Sequence, residues 1–119
     1  MSAALDLQII DELKLIMGDD IGMLLETYFS DSVIKIQELS EIAERSHSEV
    51  TDDSDIIRRT AHSLKGSSKN VGAKNLAQLC ELLETNARNN QLENLSIQVE
   101  DITQAFEVFK IEIGQLLSS

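Results

Sequence analysis

Apolar residues recur along this chain at the three- and four-residue steps that place side chains on one face of a helix. The clearest run is the last one. Leu95, Val99, Ile102, Phe106, Phe109, Ile113 and Leu116 predict a helix from about Asn94, and their alternating steps suit the left-handed packing of a bundle. At the other end, Leu5, Ile9, Leu13 and Ile16 predict a short helix capped by Asp6 and stopped near Met17 by Gly18. Asp19 or Asp20 then caps a long second helix running to about Arg45, with Leu25, Phe29, Ser32, Ile36, Leu39 and Ala43 as its stripe. Ile21, Leu24 and Tyr28 widen that stripe near its start. The polar run Ser46 to Asp53 reads as a loop, with Asp52, Asp53 or Ser54 capping a third helix over about 54–70. That helix closes at Asn70 to Gly72, and a fourth spans about Ala73 to Asn89 with Leu76, Leu79, Cys80, Leu83 and Ala87 inward. The expected fold is all-α: an antiparallel four-helix bundle with a short N-terminal helix packed at one end.

Composition narrows the class. A chain of 119 residues makes one domain, here 1–119. It has no proline and few aromatics, which favours uninterrupted helices. A single cysteine, Cys80, excludes an intrachain disulfide and suits a reducing compartment. No apolar run approaches the roughly 18 to 20 residues that span a membrane, and no export pattern opens the chain. The net charge of −11 argues against nucleic acid or an anionic membrane as partner. The expectation is a cytoplasmic module, taken as free-standing from Met1 to its Leu-Leu-Ser-Ser end, with a domain excised from a larger hybrid kinase as the alternative.

Charge is unevenly spread. Arg58 to Leu76 holds Arg58, Arg59, Lys65, Lys69 and Lys74 and no acid, so the remainder carries about −16. In the middle of this stretch sits His62. Helical spacing puts Arg58, His62, Lys65, Gly66 and Lys69 on one stripe, with Ile57, Ala61, Leu64 and Ser68 turned away from it. The imidazole is therefore expected to face outward. Gly66 lies one turn on, where a helical glycine costs about 1 kcal/mol relative to alanine; the physical gain available there is clearance for another macromolecule. A neutral imidazole is a nucleophile. Cations beside it disfavour a further positive charge and would stabilise an arriving phosphoryl group, whose transfer depends on positioning and charge neutralisation. From spacing and charge alone, an ordinary surface histidine remains the competing reading.

The string from Ala61 to Glu84, A-H-S-L-K-G-S-S-x-x-V-G-A-x-x-L-A-x-L-C-x-L-L-E, resembles the signature of histidine-containing phosphotransfer (HPt) domains of bacterial-type two-component phosphorelays. His62, Leu64, Lys65, Gly66, Ser67, Val71, Gly72, Ala73, Leu76 and Leu83 all match, and the helix layout extends the resemblance over essentially the whole chain. The resemblance implies that His62 is the phosphoacceptor, that Lys65 helps neutralise the phosphoryl group and that Gly66 gives a partner room. Lys69 and Arg58 share the stripe as weaker members of the pattern. It further implies an apolar docking surface for receiver domains on helix one and the start of helix two. Ile9, Leu13, Ile21 and Leu24 are the candidates there, against the simpler reading that they pack helix one onto helix two. Arg59 and Lys74 would steer an acidic partner.

The function so implied is a monomeric, stoichiometric phosphoryl carrier between receiver domains of a hybrid sensor kinase and of a response regulator. It needs no cofactor of its own, and any magnesium ion belongs to the receiver. No Gly-x-x-x-x-Gly-Lys loop is present to bind a nucleotide. His47 has no ligand set at metal spacing, Cys80 lies in an apolar seam, and Glu38, Glu41, Glu44, Glu100, Asp101 and Glu107 read as a solvated face. Two other readings stand beside it. One is an HPt-like interaction module that binds or sequesters a receiver without carrying phosphate. The other is the dimerisation region of a histidine kinase, against which Ser63 stands where such helices carry an acid.

Overall fold

Each apolar stripe needs a partner to cover it, and the structure supplies four partners in a ring. A computed structural model describes residues 4–45 and 53–118. Its helices are α1 (Leu7–Met17), α2 (Ile21–Ala43), α3 (Ser54–Asn70), α4 (Lys74–Arg88) and α5 (Leu95–Ser118), with a 3-10 turn at Gly18–Asp20 between the first two. Helices α2 to α5 pack in the cyclic order α2, α3, α4, α5. Their directions follow from contacts along their length. Tyr28 meets Ser68 while Glu38 meets Thr60, so α2 and α3 run antiparallel. Tyr28 stacks near Phe109 while Ser96 reaches the carbonyl of Ala43, so α2 and α5 do too. The fold is an antiparallel four-helix bundle, elongated to 47 × 25 × 19 Å.

Inward-facing residues match the helical period. In α5, Leu95, Val99, Ile102, Phe106, Phe109 and Ile113 are all buried. In α4 the buried set is Leu76, Ala77, Cys80, Leu83, Glu84 and Ala87, and in α3 it is Ile57, Thr60, Ala61, Leu64 and Ser68. Full burial of each large aliphatic or aromatic side chain contributes roughly 1.5–3 kcal/mol. Tyr28, Phe29, Phe106 and Phe109 form an aromatic cluster between α2 and α5, with the Tyr28 and Phe109 rings edge to face at 5.8 Å. Burial pushes the Tyr28 phenol up to about 12, and its hydroxyl bonds the buried Ser68 hydroxyl at 2.7 Å. Cys80 is fully buried, and burial likewise raises its thiol to about 12, which leaves it inert.

Helix α1 is tied to one end through backbone, and this fixes the geometry beside α3. The amide of Asp6 donates to the carbonyl of Gly72 at 2.8 Å, and the amide of Lys74 donates to that of Ala4 at 3.1 Å. Gly72, at φ +80°, makes the turn between α3 and α4; a Cβ there would stand 2.8 Å from Cγ1 of Ile10. Helix α1 therefore docks on a surface only glycine leaves free. The expected stripe of α1 is corrected here. Ile10 is fully buried, Ile9 and Leu13 are half-buried, and Ile16 is 80% exposed. The covered side of α1 runs through Ile10 to the half-buried Leu13 and Met17, which turns Leu15 and Ile16 to solvent. In α2, Tyr28 and Ile42 are buried where Phe29 and Ala43 were expected; both of the latter are half-buried. Asp53, rather than Asp52 or Ser54, is the N-cap of α3, though its carboxylate pairs with Arg45 instead of capping the helix. Of the expected Ser46–Asp53 loop, positions 46–52, including His47 and Asp52, lie outside the described residues.

Candidate functional site

The seventeen residues of α3 turn Ile57, Ala61, Leu64 and Ser68 into the core, so position 62 must face out. The side chain of His62 is 65% exposed, as expected. What lies beside it is less expected. Its Nδ1 is 2.9 Å from Oε2 of Glu84, a carboxylate on α4 whose side chain is only 5% exposed. The Lys65 ammonium, one turn along α3, reaches Oε1 of the same carboxylate at 2.7 Å. Arg88, one turn further along α4, donates from Nη2 to Oε2 at 3.0 Å. One buried carboxylate thus gathers an imidazole, an ammonium and a guanidinium.

Burial of Glu84 disfavours its charge, but the hydrogen bonds and charges of Lys65 and His62 outweigh that and hold the carboxyl below its usual range. Glu84 is then ionised at neutral pH and can only accept hydrogen bonds. The proton between it and His62 must therefore sit on Nδ1, as assigned from the partner's chemistry. In the neutral ring the lone pair then falls on Nε2, the nitrogen Glu84 does not engage. The sequence picture of an imidazole among cations is corrected accordingly. The side chain in contact with the ring is an anion, and Lys65, 17% exposed, is held by that anion.

The other expected site residues are placed as follows. Gly66 is exposed, and among the described residues a Cβ there would meet nothing within 4 Å. Lys69 is exposed on the same flank and, with Ile9 and Lys74, lines a groove of about 390 Å³ between α1 and the α3–α4 turn. Arg58 is turned toward the start of α3, where Nη2 donates to Oδ1 of Asp55 at 2.8 Å; Arg59 lies 3.7 Å from the same carboxylate. Arg59 also lines a groove of about 420 Å³ between α2 and α3, beside Ser63 and Thr60. Ser67 bonds back to the carbonyl of Leu64. Leu13, Ile21 and Leu24 are half-buried like Ile9, and the most exposed apolar side chains nearby in sequence are Leu15 at 87%, Ile16 and Met23. No described group of three or more His, Cys, Asp or Glu residues could hold a metal ion, and no described helix is long and apolar enough to cross a membrane.

Glu84 and Arg88 escaped the sequence reading as site residues. Glu84 ends the string that begins at Ala61, and its position on the otherwise apolar face of α4, one residue past Leu83 and four past Cys80, is the available signal.

Comparison with known proteins agrees with this fold. The Hpt domain family matches residues 23–118. The crystal structure of histidine-containing phosphotransfer protein B (HptB) from Pseudomonas aeruginosa PAO1 superposes with a TM-score of 0.83 at 31% identity, covering 97% of this chain and 95% of that one. No curated protein sequence matches the chain significantly. The matched region contains the exposed imidazole on the flank of the four-helix bundle, and the chain belongs to the Hpt domain family.

Proposed function

We propose that this protein relays a phosphoryl group between receiver-domain aspartates by way of His62. The observation that carries the reading is the Nδ1–Glu84 hydrogen bond of an otherwise exposed imidazole, which leaves Nε2 as the free nucleophile. A receiver bearing phosphoaspartate docks over α3. Nε2 attacks phosphorus in line, the Nε2–P bond forms as the P–O bond to the aspartate breaks, and the carboxylate leaves with the bonding pair. The Nδ1 proton stays in place, and Glu84 stabilises the positive charge that the ring acquires. A second receiver's aspartate then takes the group in the reverse sense. Gly66 admits the partner's surface one turn from the ring, and Lys65, three residues from His62 on α3, is the cation offered to the transferred group.

The protein acts as a stoichiometric carrier, its own part requiring no metal, with magnesium supplied in the receiver's acidic pocket. Its partners are receivers of a hybrid sensor kinase and of a response regulator, met as a monomer in the cytoplasm. Docking draws on α1 and the start of α2, where Leu15, Ile16 and Met23 expose more apolar surface than Ile9, Leu13, Ile21 and Leu24. The test is incubation of the chain with phosphorylated receivers from the same genome. Acid-labile label is expected on the wild type and none on His62→Gln, whose helical content is unchanged. Normal uptake by His62→Gln would refute the proposal, and receiver binding without uptake by the wild type would favour the sequestering module instead.

A further inference from the structure

Lys65 presents a difficulty for any carrier mechanism at this site. To neutralise a phosphoryl group on Nε2 its ammonium must leave, or share, the Oε1 atom it holds at 2.7 Å. That would strip a buried carboxylate of a counter-charge, an arrangement proteins avoid. The geometry points to Arg88 as the solution. We propose that Arg88 is a positioning residue that keeps Glu84 compensated while Lys65 turns to the phosphoryl group on His62; the inference rests on the carrier reading above.

Three features support the assignment. Arg88 binds Oε2 while Lys65 binds Oε1, so the two cations occupy different oxygens and one can leave without displacing the other. They also come from different helices. Arg88 is four residues from Glu84 on α4, and its pairing therefore survives any adjustment of α3. Lys65 lies three residues from His62 on α3, within a turn of the acceptor ring. Finally, the formal charges close. Glu84, Lys65 and Arg88 sum to +1 before transfer, and a phosphoryl group of about two negative charges on a ring made positive by its retained Nδ1 proton adds about one negative charge net. With Arg88 the loaded site ends near neutral, and without it near −1. A guanidinium is suited to this post because it stays protonated and its remaining nitrogens keep water contact, the side chain being 57% exposed.

The reading as an ordinary surface pair predicts no consequence for transfer, since exposed i,i+4 pairs contribute little. The two are separated by the equilibrium partition of label between a receiver charged with acetyl phosphate and the wild-type, Arg88→Met or Arg88→Lys chain, alongside calorimetric binding of the unphosphorylated chain to that receiver. Arg88→Met is expected to bind the receiver as the wild type does. Its share of the phosphoryl group should drop about tenfold, the cost of leaving the buried Glu84 carboxylate uncompensated once Lys65 has turned to the phosphoryl group, and Arg88→Lys should recover most of the loss. A wild-type partition in Arg88→Met, or a loss matched by an equal loss of receiver binding, overturns the assignment. Absence of label on the wild-type chain overturns the carrier reading and this inference with it, a result recognisable because it does not depend on position 88.

Discussion

Glu84→Gln is the most informative single change, because it keeps the shape of the side chain and removes its charge. The amide oxygen can still accept from Nδ1 of His62, but Lys65 and Arg88 lose their anion. The three contacts differ in worth. Arg88 is mostly exposed, and its pair contributes a few tenths of a kcal/mol. The bond to the exposed imidazole contributes about 0.5–1 kcal/mol and is largely kept by glutamine. Lys65, shielded from water, makes the charge-assisted contact of roughly 1.5 kcal/mol or more, offset in part by the desolvation that the carboxylate suffers and the amide does not. The expected loss at pH 7 is about 1–2 kcal/mol, a fall of about 0.5–1 M in urea midpoint. Its pH dependence has a definite sign. Glu84 titrates below its ordinary value of 4.5 in the folded protein, so its contribution is full above that value and is lost as pH falls through the folded pKa. Urea unfolding of both chains at pH 7 and pH 3 should show a gap that narrows in acid. A gap of the same size at both pH values, or no gap at pH 7, would refute the reasoning.

Gly66→Ala should raise stability by about 0.5–1 kcal/mol, since helix propensity improves and nothing stands where the Cβ goes. Gly66→Gln should fold equally well yet slow phosphoryl uptake from a receiver, and unimpaired uptake would remove the clearance role. Gly72→Ala should destabilise by about 2 kcal/mol or more in thermal unfolding, because φ of +80° and a 2.8 Å approach to Ile10 both oppose a Cβ.

Much of this architecture was readable from residue spacing, and the exceptions share a cause. The stripe of α5 predicted the buried positions from Leu95 to Ile113 apart from Ala105, because a long helix in a bundle is covered along most of its length. The boundaries of α3 followed from loop composition and from Gly72, whose positive φ the turn requires. Helix α1 was misread because spacing alone could not choose between steps of three and four: Ile10, buried under the Gly72 turn, shares the covered side with the half-buried Leu13 and Met17, while Ile16 faces solvent. At the site, the outward face of His62 and the open space at Gly66 come from one helix and were legible in one helix. The carboxylate against the ring comes from α4. Its distance from His62 is set by how two helices pack, which the pattern of either helix leaves open. A run of five cations without an acid therefore suggested an imidazole among positive charges, while the folded chain brings Glu84 to it from twenty-two residues away.

The central claim is that the phosphoryl group bonds to Nε2 of His62, since Glu84 occupies Nδ1–H. Two-dimensional phosphorus–proton NMR of the chain loaded from a phosphorylated receiver reads this directly. Phosphorus on Nε2 lies three bonds from both ring protons, Hδ2 and Hε1, and should correlate with the two His62 signals alike. A correlation to Hε1 without Hδ2, which marks Nδ1, or phosphorus on any other residue, would contradict the account.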